Sequence, residues 1–552
     1  MTVSARMRTA AALMAASAMV GASGAVAGAV EPPQVPAGPA PGDPPPEPDQ
    51  PMRQIAACTV TGILPGSDVR ELPPALALLN MPAAWKESTG AGVVVGIIDT
   101  GVAPQPRLPH LVAGGDYVMG RYGDGLSDCD AHGTLVASLI GAAPSGSPLP
   151  VAPREAAPAA PPPAAPAPAP IPPPAPPPTV TITQTVSPAP PPPPPPPPED
   201  APAWGIAPPR RTGSGDPVPL APPPGGGTDG LIGIAPDAVL VSIRQTAQTF
   251  GLADPGVSEN PDDIRRAGDI NSLARAIVHA ANLGVKVINI SVVSCISATK
   301  PHDQSALGAA LRYAAVDRDV VIVTAAGNTN AQGCNHQNPP PLPGNTDDPL
   351  GWGSVTTIAA PAWFSDYVLA VSATDANGVP LTNDPVKGDL ASLHGPWMGL
   401  AAPGTDIMGL SPAGEVINGS VDQDKLHSLA GSSFSAAFVS GVAALVRAKY
   451  PDLSAHQVIH RLQATAHPPA AGRDPVVGYG VVDPVAALTW DIAPGALLPP
   501  GAVRGPLVLP PPPIQRDPRP GQTAATITAV MAASLVAVAI ATTVVRRRRR
   551  QS

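Results

Sequence analysis

Where the prolines fall constrains this chain more than any other feature. There are 82 in 552 residues, and most are gathered in a few dense runs. Proline fixes φ and has no backbone N–H, so such runs favour polyproline II and build no core. What can fold lies between them. We read 30–54 as a Pro-rich N-terminal segment, 55–498 as one domain with a Pro-rich loop inserted at 144–225, and 499–522 as a stiff stalk. The middle run is taken as an insertion because foldable sequence resumes beyond it.

Both ends carry membrane signals. Arg6 and Arg8 precede an apolar run of small residues with small-x-small sites at Ala25-Val26-Ala27 and Ala27-Gly28-Ala29, so 1–29 is expected to be a signal peptide. Residues 523–545 are uncharged over a bilayer's thickness, and Arg546 to Arg550 follow at once. Arginines stay on the cytoplasmic side. The expectation is a single-pass type I protein of the cell membrane, its domain extracytoplasmic and 546–552 inside. A net charge of −9 gives no basic footprint for nucleic acid. Four cysteines in an exported chain predict two disulfides, with three pairings open.

Within the domain, Val93 to Asp99, Ala238 to Arg244, Val285 to Ile290, Val320 to Thr324 and Val368 to Ser372 read as buried strands. His132 to Ile140, Ser272 to Leu283, Ala306 to Ala315 and Ser433 to Tyr450 read as helices. The alternation predicts an α/β fold, a central parallel sheet flanked by helices, with the C-terminal transmembrane helix in addition.

Several strand and helix ends carry residues suited to acyl transfer. Asp99 closes an apolar strand, where a carboxylate needs a partner. It either orients a histidine or caps the turn that follows. His132, in Asp130-Ala131-His132-Gly133-Thr134, opens a helix and has the chemistry of a general base. Ser433, in Gly431-Ser432-Ser433-Phe434-Ser435-Ala436, opens another, where free N–H groups favour a developing anion. Ser432 and Ser435 remain candidates by position. Asn328, after the strand ending at Thr324, offers an amide to an oxyanion. The order Asp, His, Asn, Ser is that of subtilisin and excludes an α/β-hydrolase, which runs Ser, Asp, His.

Asp99-Thr100-Gly101, His132-Gly133-Thr134-Leu135-Val136-Ala137 and Gly431-Ser432-Ser433-Phe434-Ser435-Ala436 resemble the three subtilase signatures. Gly114-Gly115-Asp116-Tyr117, Asp128-Cys129-Asp130, Ile234-Ala235-Pro236-Asp237-Ala238, Ser242-Ile243-Arg244-Gln245 and Asn289-Ile290-Ser291-Val292-Val293 resemble the mycosins, subtilases of mycobacterial type VII secretion. The resemblance implies a subtilisin-like fold and an extracytoplasmic serine endopeptidase attached to a type VII secretion membrane complex, cleaving secreted proteins. It also implies a second role, as a scaffold of that complex with dispensable proteolysis. Ser291, Val292 and Val293 with Ala325, Ala326 and Gly327 resemble the strands that flank a subtilase substrate, which would dock by strand addition. Two departures stand out. Ser432 replaces the usual threonine, and Ala437 the usual proline. No cofactor is expected. His336 with Cys334 is too sparse for zinc, and Asp262-Asp263 and Asp347-Asp348 read as solvated turns.

Cys295 and Cys334 follow Asn289 and Asn328 by the same offset. If those two strands are neighbours, both cysteines leave the sheet at one edge, which pairs Cys295 with Cys334. Cys58 and Cys129 remain, as a latch between the N-terminal segment and the helix carrying His132. Such a latch predicts a segment that stays in the fold.

Overall fold

Strands buried on both faces are near-continuous apolar runs rather than alternating ones, and the runs above are of that kind. The structure is a computed structural model. It describes residues 30–35, 38, 39, 41–147, 228–254, 261–300, 302–329, 334, 336–342, 344–382, 391–422 and 424–502, with backbone alone over 261–269. Seven strands form the central sheet: β1 Val94–Asp99, β2 Leu111–Asp116, β3 Val239–Arg244, β4 Val287–Ile290, β5 Val321–Ala325, β6 Leu369–Thr374 and β7 Met398–Pro403. Their order is β7-β6-β5-β4-β1-β3-β2, and every neighbouring pair is parallel.

Five helices matter for the site: α1 His132–Gly141, α2 Pro261–Asn282, α3 Ser305–Arg312, α4 Ser432–Lys449 and α5 Ala455–Ala464. On one face of the sheet Val95, Ile97, Val323 and Val371 share a core with Val136 of α1 and Val439 of α4. On the other, Ile98, Ile288 and Ile322 pack with Ile277 of α2 and Leu311 of α3. Burying both faces needs helices on both sides, so the alternating sequence folds as α/β. From β1 the chain runs to the edge strand β2, returns to lay β3 between them, then crosses to place β4 on the other side of β1. The C-terminal end of β1 is therefore a topological switch point, where ligands of parallel sheets bind.

The structure differs from expectation in places. Strands β2 and β7 were not anticipated. Helix α2 begins at Pro261 rather than Ser272, and Asp262-Asp263, read as a solvated turn, lie in its first turn. Proline at the first helical position followed by acidic residues is a helix-start signal. Helix α3 gives way at Tyr313 to a π-helical turn, Tyr313–Asp317.

The N-terminal segment lies on the domain. Met52–Gln54 pairs antiparallel with Phe250–Leu252, and Thr61–Gly62 joins a small sheet with Gly419–Asp422 and Lys425–Ser428. Asp49 is ion-paired with Arg275 and Asp43 contacts His279. Cys58 is bonded to Cys129, and Cys295 to Cys334. Around the central proline run, Ser145 and Thr228 meet by their hydroxyls at 2.8 Å. The expected signal peptide, most of the insertion and the stalk, and the span 523–545 with its arginine tail lie outside the described residues. Among the described residues no helix is long and apolar enough to cross a membrane.

Candidate active site

In a parallel sheet every strand ends on the same edge, and the helices that return over it begin there. Asp99 ends β1, Ser291 follows β4 and Asn328 follows β5, while His132 starts α1 and Ser433 lies in the first turn of α4. Topology alone thus collects these residues.

Asp99 is fully buried. Its Oδ1 lies 2.7 Å from His132 Nδ1 and also accepts the Thr100 N–H at 2.7 Å. A carboxylate can only accept, so Nδ1 carries the proton and Nε2 is left as the base. The close approach depends on Gly133, where a Cβ would run into the Gly101 carbonyl oxygen. Ala131, just before His132, is held at φ 63°, a left-handed conformation that costs a residue with a Cβ about 1–2 kcal/mol. The imidazole remains 31% exposed and packs against Phe434, ring centroids 5.7 Å apart.

Three serines in the first turn of α4 were open as candidates. Ser432 Oγ is buried and exchanges hydrogen bonds with the main chain of Gly327, 3.1 and 3.2 Å. Ser435 Oγ is buried and donates to the Pro403 carbonyl. Ser433 alone keeps some exposure, at 7%. Its Oγ donates to the Ser291 carbonyl at 3.2 Å.

Asn328 Oδ1 accepts the Ser432 N–H at 2.9 Å, which leaves Nδ2 as the amide's donor. Among the described residues neither Nδ2 nor the Ser433 main-chain N–H meets an acceptor. A Cβ at Gly431, whose φ is 154°, would press within 3.2 Å of Nδ2. Two free donors therefore stand beside the Ser433 hydroxyl, the arrangement an oxyanion needs.

Ser291 is next to Ser433, and Gly327 faces Val293, whose Cγ1 would lie 3.4 Å from a Cβ on the glycine. The N–H and carbonyl of Gly327 are engaged by Ser432 and Leu393, and the Ala326 N–H by Val371. Ala325 and Ala326 are buried.

Sequence reasoning passed over a buried polar layer behind His132. Thr100 Oγ1 donates to Asp128 Oδ1 at 2.9 Å and accepts the Gly133 N–H at 2.9 Å. Asp128 Oδ2 accepts both the N–H and the hydroxyl of Thr134. The signal was present as two acidic residues close before a histidine. Burial pushes the Asp128 carboxyl up to about 6 against these hydrogen bonds, and the nearby Asp99 adds to it. For His132, burial opposes the charged form. Asp99, by charge and hydrogen bond, together with Asp128 and Asp130, outweighs it and holds the imidazole above its ordinary value.

The subtilase family matches residues 225–480. That span contains Asn328 and Ser433 and begins after Asp99, His132 and the proline run. Mycosin-5 of Mycobacterium tuberculosis is 51% identical over 538 residues, 91% of this chain and 90% of its own. The crystal structure of MycP1 from Mycobacterium smegmatis superposes with a TM-score of 0.67 at 38% identity, covering 86% of this chain and 99% of that one. A chain in the periplasmic assembly from the ESX-5 inner membrane complex gives a TM-score of 0.67 at 46% identity, covering 88% and 100%.

Proposed function

Because this chain belongs to the mycosin family of subtilisin-like serine proteases, we propose that Asp99, His132 and Ser433 are its catalytic triad. Ser433 Oγ attacks the scissile carbonyl while His132 Nε2 takes its proton, then returns it to the leaving amine. Asp99 keeps the proton on Nδ1 and stabilises the imidazolium. Asn328 Nδ2 and the Ser433 N–H receive the oxyanion, and water later releases the acyl group by the same steps. The observation that carries this reading is the 2.7 Å contact of His132 with a fully buried Asp99 beside the first turn of α4. Before substrate arrives the Ser433 hydroxyl rests on the Ser291 carbonyl. A substrate strand alongside Ser291, Val292 and Val293 that offers its own N–H to this carbonyl would turn the hydroxyl toward His132. Ala325 and Ala326, expected to flank substrate as well, are buried and with Gly327 have main-chain groups spent within the domain, so the substrate strand is proposed to lie on the Ser291 side alone.

A fluorophosphonate probe applied to the full-length protein tests the assignment, with mass spectrometry to locate the adduct. The expected adduct is on Ser433 and is missing in Ser433→Ala. An adduct on Ser432 or Ser435, or none on folded protein, would overturn it.

The enzyme's setting is proposed to be a type VII secretion membrane complex, with the protease domain outside the cytoplasm, held by 523–545 and acting on secreted proteins. The likeness to a chain of a periplasmic assembly over nearly that chain's whole length supports this. The same likeness supports a structural contribution to the complex. Ser433→Ala separates the two: it is expected to leave the chain in the purified membrane complex while stopping cleavage. Loss of the complex in that variant would mean that assembly depends on proteolysis.

A further inference from the structure

Asn289 is a fully buried amide in the strand Val287–Ile290, whose other members are aliphatic. The strand does not need it for pairing, since the β4 main chain is paired with β1 on one side and β5 on the other. An apolar side chain of like size would fill the space with no polar group to satisfy. The amide is, however, fully engaged in one direction. Ser440 Oγ donates to Asn289 Oδ1 at 2.9 Å, and Asn289 Nδ2 donates to Ser291 Oγ at 2.7 Å. Ser291 Oγ donates to the main-chain oxygen of Ser433 at 3.3 Å, and Ser433 Oγ donates back to the Ser291 carbonyl at 3.2 Å.

The direction matters. With the Ser440 hydroxyl donating to Oδ1, Nδ2 is the donor that faces Ser291. Were the amide reversed, Oδ1 would face Ser291 Oγ, whose proton would turn to it and leave the Ser433 carbonyl. Ser440 lies on the same helix two turns beyond Ser433, on the same face. The path therefore begins and ends on α4 and passes through the end of β4. It registers the helix that carries Ser433 against the strand end that flanks the cleft.

We propose that Asn289 is a positioning residue for the reaction: tied to α4 by Ser440, it holds the Ser291 hydroxyl, and that hydroxyl holds the main-chain carbonyl of Ser433. The inference rests on the reading of Ser433 as the nucleophile. Misplacing a reacting group by about 1 Å costs about 100-fold in rate, whereas losing packing alone lowers the amount of folded protein.

The test is the kinetics of fluorophosphonate labelling of the full-length chain, separating the rate at saturating probe from the fraction finally labelled. For Asn289→Ala the expected result is a saturating rate about 100-fold lower, probe affinity unchanged, and a final labelled fraction equal to the folded fraction. Ser440→Ala, which removes only the hydrogen bond tying the amide to α4, is expected to slow labelling about tenfold, the scale of one hydrogen bond. It also serves should Asn289→Ala fail to fold. Wild-type labelling at Ser433 together with unchanged rates in both variants, only the labelled fraction falling, would overturn this inference and leave the nucleophile assignment standing. No labelling of wild-type Ser433 would overturn both.

Discussion

Gly133 lets α1 come close enough to the end of β1 for an aspartate and a histidine to touch. A side chain at Gly133 meets backbone, which cannot rotate away. Gly133→Ala is therefore expected to cost 3 kcal/mol or more, roughly the upper range for overpacking, and to lower the labelling rate of whatever folds. Urea unfolding combined with labelling would read both, and a variant with wild-type values would mean that α1 tolerates displacement. The charges around His132 set its pH response. Since Asp99, Asp128 and Asp130 hold the imidazole above its ordinary value, it stays protonated, and so unable to act as base, to a higher pH than usual. The acid limb of the labelling profile is expected above pH 6.5, and Asp130→Asn should move it downward. An unmoved limb would show that Asp130 is screened. Asp128 works in the other direction, on stability. An acid raised on folding stabilises the fold fully below its unfolded pKa near 4, and that contribution is lost as pH rises to about 6. Asp128→Asn has no charge to bury. Its stability relative to wild type should thus improve by about 2–3 kcal/mol between pH 4 and 7, and an offset independent of pH would refute the buried charge.

Among the elements, the N-terminal segment bears most directly on the site. It contacts Thr249, whose N–H is held by Asp130, and it is bonded through Cys58 to Cys129, three residues before His132. Removing this disulfide with paired Cys58→Ser and Cys129→Ser changes is expected to cost about 2–5 kcal/mol in chemical unfolding, and no change would mean that the other contacts of the segment suffice. How far elements could be read from sequence follows from what each uses to stay buried. β1, β3, β4 and β5 are rich in valine and isoleucine, so composition marks them. β2 contains Gly114 and Gly115, and β7 is Met-Gly-Leu-Ala-Ala-Pro. Both are edge strands made from residues with little strand preference, held by their neighbours rather than by propensity. The residues proposed for chemistry were legible because each stands at an element's end and keeps a reactive group. Ser440 was not, because a residue that acts through another has no local pattern, and Thr100 and Asp128 stood within quoted motifs whose spacing does not say what they hold. The choice among Ser432, Ser433 and Ser435 needed the structure for the same reason: only the fold shows which hydroxyls are already spent on backbone.

At the scale of the whole molecule, the question is whether the proline-rich run between α1 and β3 belongs to the fold. The described chain stops at Ser147 and resumes at Thr228, and Ser145 and Thr228 are in hydrogen-bond contact. Close by, Arg107 pairs with Asp229 and donates to the Ala143 carbonyl, so both sides of the junction are anchored to one side chain. The described residues that flank 148–227 are therefore tied to each other directly. Each halving of a flexible closed loop returns about 0.6 kcal/mol. Replacing 148–227 by about five glycine and serine residues should thus leave stability unchanged or raise it by about 2 kcal/mol, with Ser433 labelled at the wild-type rate. Loss of folding would make the run part of the domain after all. A variant that folds and labels normally but no longer co-purifies with the secretion complex would place the run's role in that complex, as a surface added to a protease already complete without it.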